Sequence, residues 1–202
     1  GKIEVSVSQR KEADWSLSVT CANGTKKSVV IPRITLGLER EDASFYNGLR
    51  LTKQTRSMRI KEKYTVLHGK RKNCTNQANE RTLVFVNSSQ QVMNVVVRAY
   101  NDGICFRYAF PEKKAGTVKI TDELTSYEIP QTADRWLQRF VSCYEGAFPH
   151  QKENIEQGEW GYPSLFQLED NASWILISES NADRNYCATK LSNKLQANGE
   201  LL

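Results

Sequence analysis

Histidine is scarce in this chain: two residues in 202, His68 and His150. His68 sits in a basic, loop-like stretch and His150 follows Pro149 in another loop, so imidazole acid–base chemistry has little material to work with. No nucleophile elbow is present, nor a Walker A motif, an H-E-x-x-H helix or a G-x-G-x-x-G turn. The five cysteines, Cys21, Cys74, Cys105, Cys143 and Cys187, form no C-x-x-C pair, which removes the spacing that zinc sites use. No apolar run approaches the roughly 18 residues that cross a bilayer. No segment of a dozen residues keeps a helical period, and no internal repeat is visible.

What is present is a β pattern. Ile3, Val5 and Val7 alternate with polar residues, and Trp15, Leu17, Val19 and Cys21 do the same. Asn23-Gly24 turns the second run back toward Val29-Val30-Ile31, and Ile34, Leu36 and Leu38 follow. Asn47-Gly48 marks another turn. The stretch 49–66 reads as a polar edge pair with Lys63–Val66 as its best strand. Residues 68–80 read as loop, and Leu83, Phe85 and Val92–Val97 resume the sheet. Asn101-Asp102-Gly103 lies between Val95–Val97 and Phe106–Phe110, a hairpin signal in which glycine serves the positive φ of a primed turn. Trp136–Val141 is a further strand candidate, 144–164 a long loop, Leu165–Leu168 with Trp174–Ile177 a final hairpin, and Tyr186–Leu191 one more strand. Asn198-Gly199 ends the pattern. Short strands at this spacing predict an all-β sandwich or barrel, read as a single domain over 1–202.

The net charge is +5, with basic clusters at Lys26-Lys27 and Lys70–Lys72. These fall in turn-like segments with acids elsewhere and without any recognition helix or RNA-binding signature, so nucleic acid is not an expected partner. Gly1-Lys2-Ile3 already begins a strand, so no signal peptide is expected in it. Cys105 falls inside an apolar strand and reads as a small core residue, and one or two disulfides stay open. Four N-x-S/T triplets begin at Asn23, Asn73, Asn87 and Asn171.

With histidine set aside, carboxylates are the remaining catalytic or metal-binding material. Glu145 opens the long loop, in Ser142-Cys143-Tyr144-Glu145-Gly146. Glu179 lies where the apolar strand Ile175–Ile177 exits toward Asn181 and Asp183. A carboxylate at a strand end suits a hard cation such as calcium, which takes oxygen ligands. Each also reads as an exposed acid, or one paired with a neighbouring Arg or Lys. Tyr144, Trp160 and Tyr162 flank the loop, where aromatic faces either stack on sugar C–H faces or pin the loop to the sheet.

The string Arg98-Ala99-Tyr100-Asn101-Asp102-Gly103-Ile104-Cys105-Phe106-Arg107-Tyr108, followed by Thr121-Asp122-Glu123 and later by Ser142–His150, resembles the N-terminal β-domain of glycoside hydrolase family 97, the bacterial α-glucosidase and α-galactosidase family. The opening Gly1–Val7, Thr35-Leu36-Gly37-Leu38 and Asn79-Glu80 carry the resemblance along nearly the whole chain. It implies a β-super-sandwich similar to the galactose mutarotase fold, with the catalytic acid and base in a downstream (β/α)₈ barrel and none in these residues. It implies that Glu179, in Leu176-Ile177-Ser178-Glu179-Ser180, supplies one ligand to a calcium ion in the active site of the whole enzyme. Ser180 stands where the family has alanine. Glu145, Tyr144, Trp160 and Tyr162 are the candidates for contact with an oligosaccharide substrate. A periplasmic or secreted location follows from the same resemblance. Arg98 and Arg107 are expected on one sheet face, paired with acids. A free-standing carbohydrate-binding or mutarotase-like module is the alternative, and a mutarotase-like enzyme in its own right is a weaker third reading.

Overall fold

The computed structural model describes residues 2–10, 14–112, 116–152, 155–169, 173–181, 186 and 188–193. Asn171, Cys187 and the Asn198-Gly199 turn lie outside them, and nothing is said of the Asn23 side chain. The described residues form short antiparallel strands and no helix, so the all-β expectation holds. No helix among them is long and apolar enough to cross a membrane.

Two compact units are formed: Gly1–Val29 with Thr35–Leu124, and Val30–Ile34 with Thr125–Leu202. In the first, β1 (Ile3–Arg10) pairs in full register with β2 (Asp14–Asn23), Val5 opposite Val19 and Val7 opposite Leu17. Gly24, at φ 63°, makes the turn into β3 (Lys26–Thr35), a left-handed backbone that favours glycine. β4 (Leu38–Arg40) and β5 (Ala43–Phe45) form a small hairpin. β6 (Arg50–Gln54) and β7 (Met58–Thr65) both pair with the long β8 (Asn73–Val86), β8 pairs with β9 (Val92–Ala99), and β9 with β10 (Ile104–Ala109). β11 (Ile120–Glu123) returns to β4. The core of this unit is Leu17, Leu36, Phe45, Phe85, Met93 and Val95, with the Trp15 ring edge-on to Phe85 at 5.2 Å.

Three expectations change here. Residues 73–80 are strand, not loop: they pair residue for residue with β7, and both strands lie largely in solvent, so no apolar alternation betrays them. The Asn101–Gly103 hairpin forms as expected, but as a four-residue loop closed by the Tyr100 N–H on the Gly103 carbonyl at 2.8 Å. Left-handed φ is therefore found at Gly24 and Gly48, not at Gly103. Cys105 is exposed and not core, because it shares the polar face of β9 and β10 with Arg98. The four described cysteines are free thiols. On that face Arg98 is paired as expected, with Glu80 at 2.6 Å and Glu62 at 3.2 Å. Asn87 is buried, accepting from the Gln91 N–H and donating to the Ser44 carbonyl, so its sequon is spent inside the fold.

In the second unit, β12 (Ser126–Tyr127) pairs with β3. β13 (Asp134–Trp136), β14 (His150–Gln151), β16 (Ser164–Gln167) and β17 (Trp174–Ile177) form a four-stranded sheet in the order β14-β13-β16-β17, while β15 (Glu159–Trp160) pairs with β18 (Leu191–Ser192). The expected final hairpin is thus β16 with β17. The strand foreseen over 136–141 stops at Trp136, beyond which Arg139 makes only a bridge to Trp160. That foreseen over 186–191 shrinks to Leu191–Ser192. Ile34, Ile129, Leu137, Trp160, Phe166 and Leu191 form the core of this unit.

Candidate functional site

All five sequence-predicted site residues fall in the second unit. Glu179 stands two residues beyond the end of β17, whose Ile175 and Ile177 are buried and fix the strand. Among the described residues, Thr189 is the donor to its half-buried carboxylate. The Thr189 N–H lies 3.1 Å from Oε1 and 3.2 Å from Oε2, and the Thr189 hydroxyl 2.6 Å from Oε1. A carboxylate offers about four lone-pair positions. From Thr189, Oε1 accepts twice and Oε2 once, through the shared N–H.

A second cluster surrounds Gly161. The Tyr144 N–H closes a turn on the Val141 carbonyl at 3.0 Å, and Gln138 Nε2–H holds the Tyr144 carbonyl, also at 3.0 Å. The Tyr144 ring lies edge-to-face with Phe140, centroids 5.8 Å apart, and close over Gly161. Tyr144 stays largely exposed. Glu145 beside it is exposed, with no hydrogen-bond partner among the described residues.

Trp160 is 1% exposed. Its indole N–H donates to Asn193 Oδ1 at 3.2 Å, and the Arg139 guanidinium covers its ring at 4.5 Å. Asn193 Oδ1 also accepts the Gly158 N–H at 2.8 Å, tying β15 to β18. The Arg139 guanidinium packs against Gly158, where a Cβ would fall 1.7 Å from Nη1 and make that side chain shift. Of the two roles left open for the loop aromatics, Trp160 takes the pinning one: its ring has no solvent face to give a sugar. Tyr162 is half-buried, its peptide to Pro163 cis. Tyr144, Trp160 and Tyr162 are therefore neighbours around Gly161, with Glu145 at their rim, and Glu179 is held separately by Thr189.

The donor set suits a hard cation in kind but not in number. Calcium takes six to eight oxygens, and the described residues contain no group of three or more His, Cys, Asp or Glu able to hold a metal. Glu179 and its described neighbours alone would leave a calcium ion short of ligands. Thr189, which orients Glu179, carries no sequence signal, lying ten residues along the chain in no recognised motif. Asn193 is likewise silent.

Known proteins resemble this chain along nearly its whole length. The family model described as "Glycosyl-hydrolase 97 N-terminal" matches residues 1–201. A "Probable retaining alpha-galactosidase" of Streptomyces bingchenggensis (strain BCW-1) is 27% identical over 157 residues, covering 77% of this chain and 24% of the relative. Among solved structures, a beta-arabinopyranosidase superimposes with a TM-score of 0.85 at 23% identity, covering 99% of this chain and 33% of that one. A family 97 enzyme from Pseudoalteromonas sp. strain K8, solved in complexes with panose and with acarbose, gives a TM-score of 0.80 at 24% identity, covering 100% of this chain and 30% of that one. The chain thus spans between a quarter and a third of the length of these relatives. At these identities the structural likeness shows the fold. With the match over 1–201, the chain belongs to the N-terminal domain family of glycoside hydrolase family 97.

Proposed function

We propose that this chain is the non-catalytic part of a calcium-dependent α-glycoside hydrolase. In this reading a larger downstream barrel carries the catalytic acid and base, and these residues complete the rim of its active site. The observation that supports it most is the Glu179 carboxylate, set at the end of a strand anchored in the core and oriented by Thr189. When bound, calcium supplies Lewis-acid polarisation of an oxygen beside the leaving group.

The chain's own residues then have distinct tasks. In this reading Glu179 gives the cation Oε2, and Thr189 holds the carboxylate against rotation. Tyr144 and Glu145 stand at the solvent edge, where a sugar C–H face and hydroxyl would find a ring and an acceptor. Trp160, clamped by Asn193 and Arg139, keeps that edge in place. Tyr162 flanks the same glycine.

The test is hydrolysis of an aryl α-glycoside by the full-length enzyme at stepped calcium concentrations. The proposal expects the calcium midpoint of Glu179→Gln to move upward. An unchanged midpoint would remove Glu179 from the metal.

A further inference from the structure

One face of the β14-β13-β16-β17 sheet is core, carrying Arg135, Phe166, Ile175 and Ile177. The opposite face carries His150, Trp136, Asp134, Leu165, Gln167, Trp174 and Leu176, placed together by the register Trp136 opposite His150 and Leu165, Leu165 opposite Leu176, and Gln167 opposite Asp134 and Trp174. Its rings are already stacked. His150 lies 4.9 Å from Trp136 and Trp136 5.3 Å from Trp174, centroid to centroid, each pair inclined by 29°. This aromatic row crosses the whole sheet, yet Trp174 is 52% exposed and Leu176 63%. Beside the rings, His150 Nε2 and Asp134 Oδ1 are 2.9 Å apart, and Lys152 Nζ stands 3.9 Å from the same oxygen.

We propose that the Trp174–Trp136–His150 face is a binding platform for a neutral oligosaccharide or polysaccharide. A pyranose has an apolar C–H face and a rim of hydroxyls. This surface offers indole area next to a carboxylate, an imidazole and the Gln167 amide, the mixture that sites for such ligands use. Lys152 balances Asp134, so the face favours neither a polyanion nor a polycation. The centre of a protein–protein interface is depleted of charge, whereas here an Asp–His pair sits among the rings. Stacking already fixes the side chains, so little ordering remains to be done on binding. The inference does not depend on calcium at Glu179.

The test is native affinity electrophoresis of the full-length protein in gels containing amylopectin or galactomannan, with a glycan-free gel as reference. Wild type should be retarded by at least one polymer. Trp174→Ala and His150→Ala should each weaken that retention by about tenfold, the equivalent of ~1.4 kcal/mol. Trp174→Phe, which keeps an aromatic face, should retain an intermediate affinity. Glu179→Gln should migrate as wild type, which keeps this inference separate from the metal reading. Absence of retardation in both gels overturns the proposal, as does retardation that survives Trp174→Ala. It is also overturned if Trp174 in the full-length protein resists N-bromosuccinimide and Trp174→Ala lowers the melting temperature by several degrees, because the face is then covered by another part of the protein.

Discussion

Thr189 donates twice to one carboxylate, its N–H and its hydroxyl both reaching Oε1 of Glu179, at 3.1 and 2.6 Å. The pair spans a ten-residue separation and holds an acid at a strand end in one orientation. Removing the hydroxyl while keeping the shape, in Thr189→Val, should cost about 1 kcal/mol of stability, the net worth of one hydrogen bond. Partners of this kind are worth about 10–100-fold in metal affinity, so calcium binding by the full-length protein should weaken by at least the lower figure. Thr189→Ser should restore both. Denaturant unfolding and a calcium titration read the two effects separately.

Asn193 should be the most sensitive position in the loop region. Its Oδ1 serves two buried donors, the Gly158 N–H and the Trp160 indole N–H. Asn193→Ala leaves both without an acceptor and should destabilise by about 2–3 kcal/mol, since each stranded donor costs ~1–3 kcal/mol. Thermal unfolding checks this, and Trp160 fluorescence should shift to the red as water reaches the ring.

Arg135 is 1% exposed, and its guanidinium is capped by the Pro130, Gln131 and Ala133 carbonyls at 2.7–2.9 Å. Burial pulls its pKa down, with the Asp134 charge opposing. Arg135→Leu should cost about 3 kcal/mol, because three carbonyls lose a forked donor that an apolar side chain cannot replace. Arg135→Lys should recover only part of this, since an ammonium is not a planar fork. Chemical denaturation of both variants gives the comparison.

Gly158→Ala should be mild by contrast. The new methyl collides with the far end of the Arg139 side chain, at Nη1, and not with backbone. Arg139 swings off Trp160, and the loss is that of one cation–π contact, about 1 kcal/mol. The crystal structure of the variant should show the displaced guanidinium.

The features that the sequence revealed are those in which one face is buried or a turn residue is needed. Val5 and Val7 opposite Val19 and Leu17, and the Asn101–Gly103 reversal, were legible for that reason. The half of β8 from Asn73 to Glu80 was not, because its covered face carries Cys74, Asn76, Ala78 and Glu80, too polar and small to give an apolar period. In Trp174-Ile175-Leu176-Ile177, four apolar residues in a row are legible as a strand but do not show that exposure alternates along it, with Trp174 and Leu176 outward on the face of the aromatic row. Glu179 was visible as an acid at a strand end. Thr189 and Asn193 were not, because they act across the fold through single polar side chains that no local pattern announces. Trp160 stood out as an aromatic residue in a loop, but only its burial shows that it braces the loop.

The central claim is that Glu179 is a metal ligand held ready by Thr189. Calorimetric titration of calcium into the metal-stripped full-length protein tests it most directly, with wild type, Glu179→Gln and Thr189→Val compared in one buffer. The account predicts one tight site in wild type, weakened about tenfold in Thr189→Val and further in Glu179→Gln, with all three proteins folded by circular dichroism. Equal calcium affinity in wild type and Glu179→Gln would contradict it.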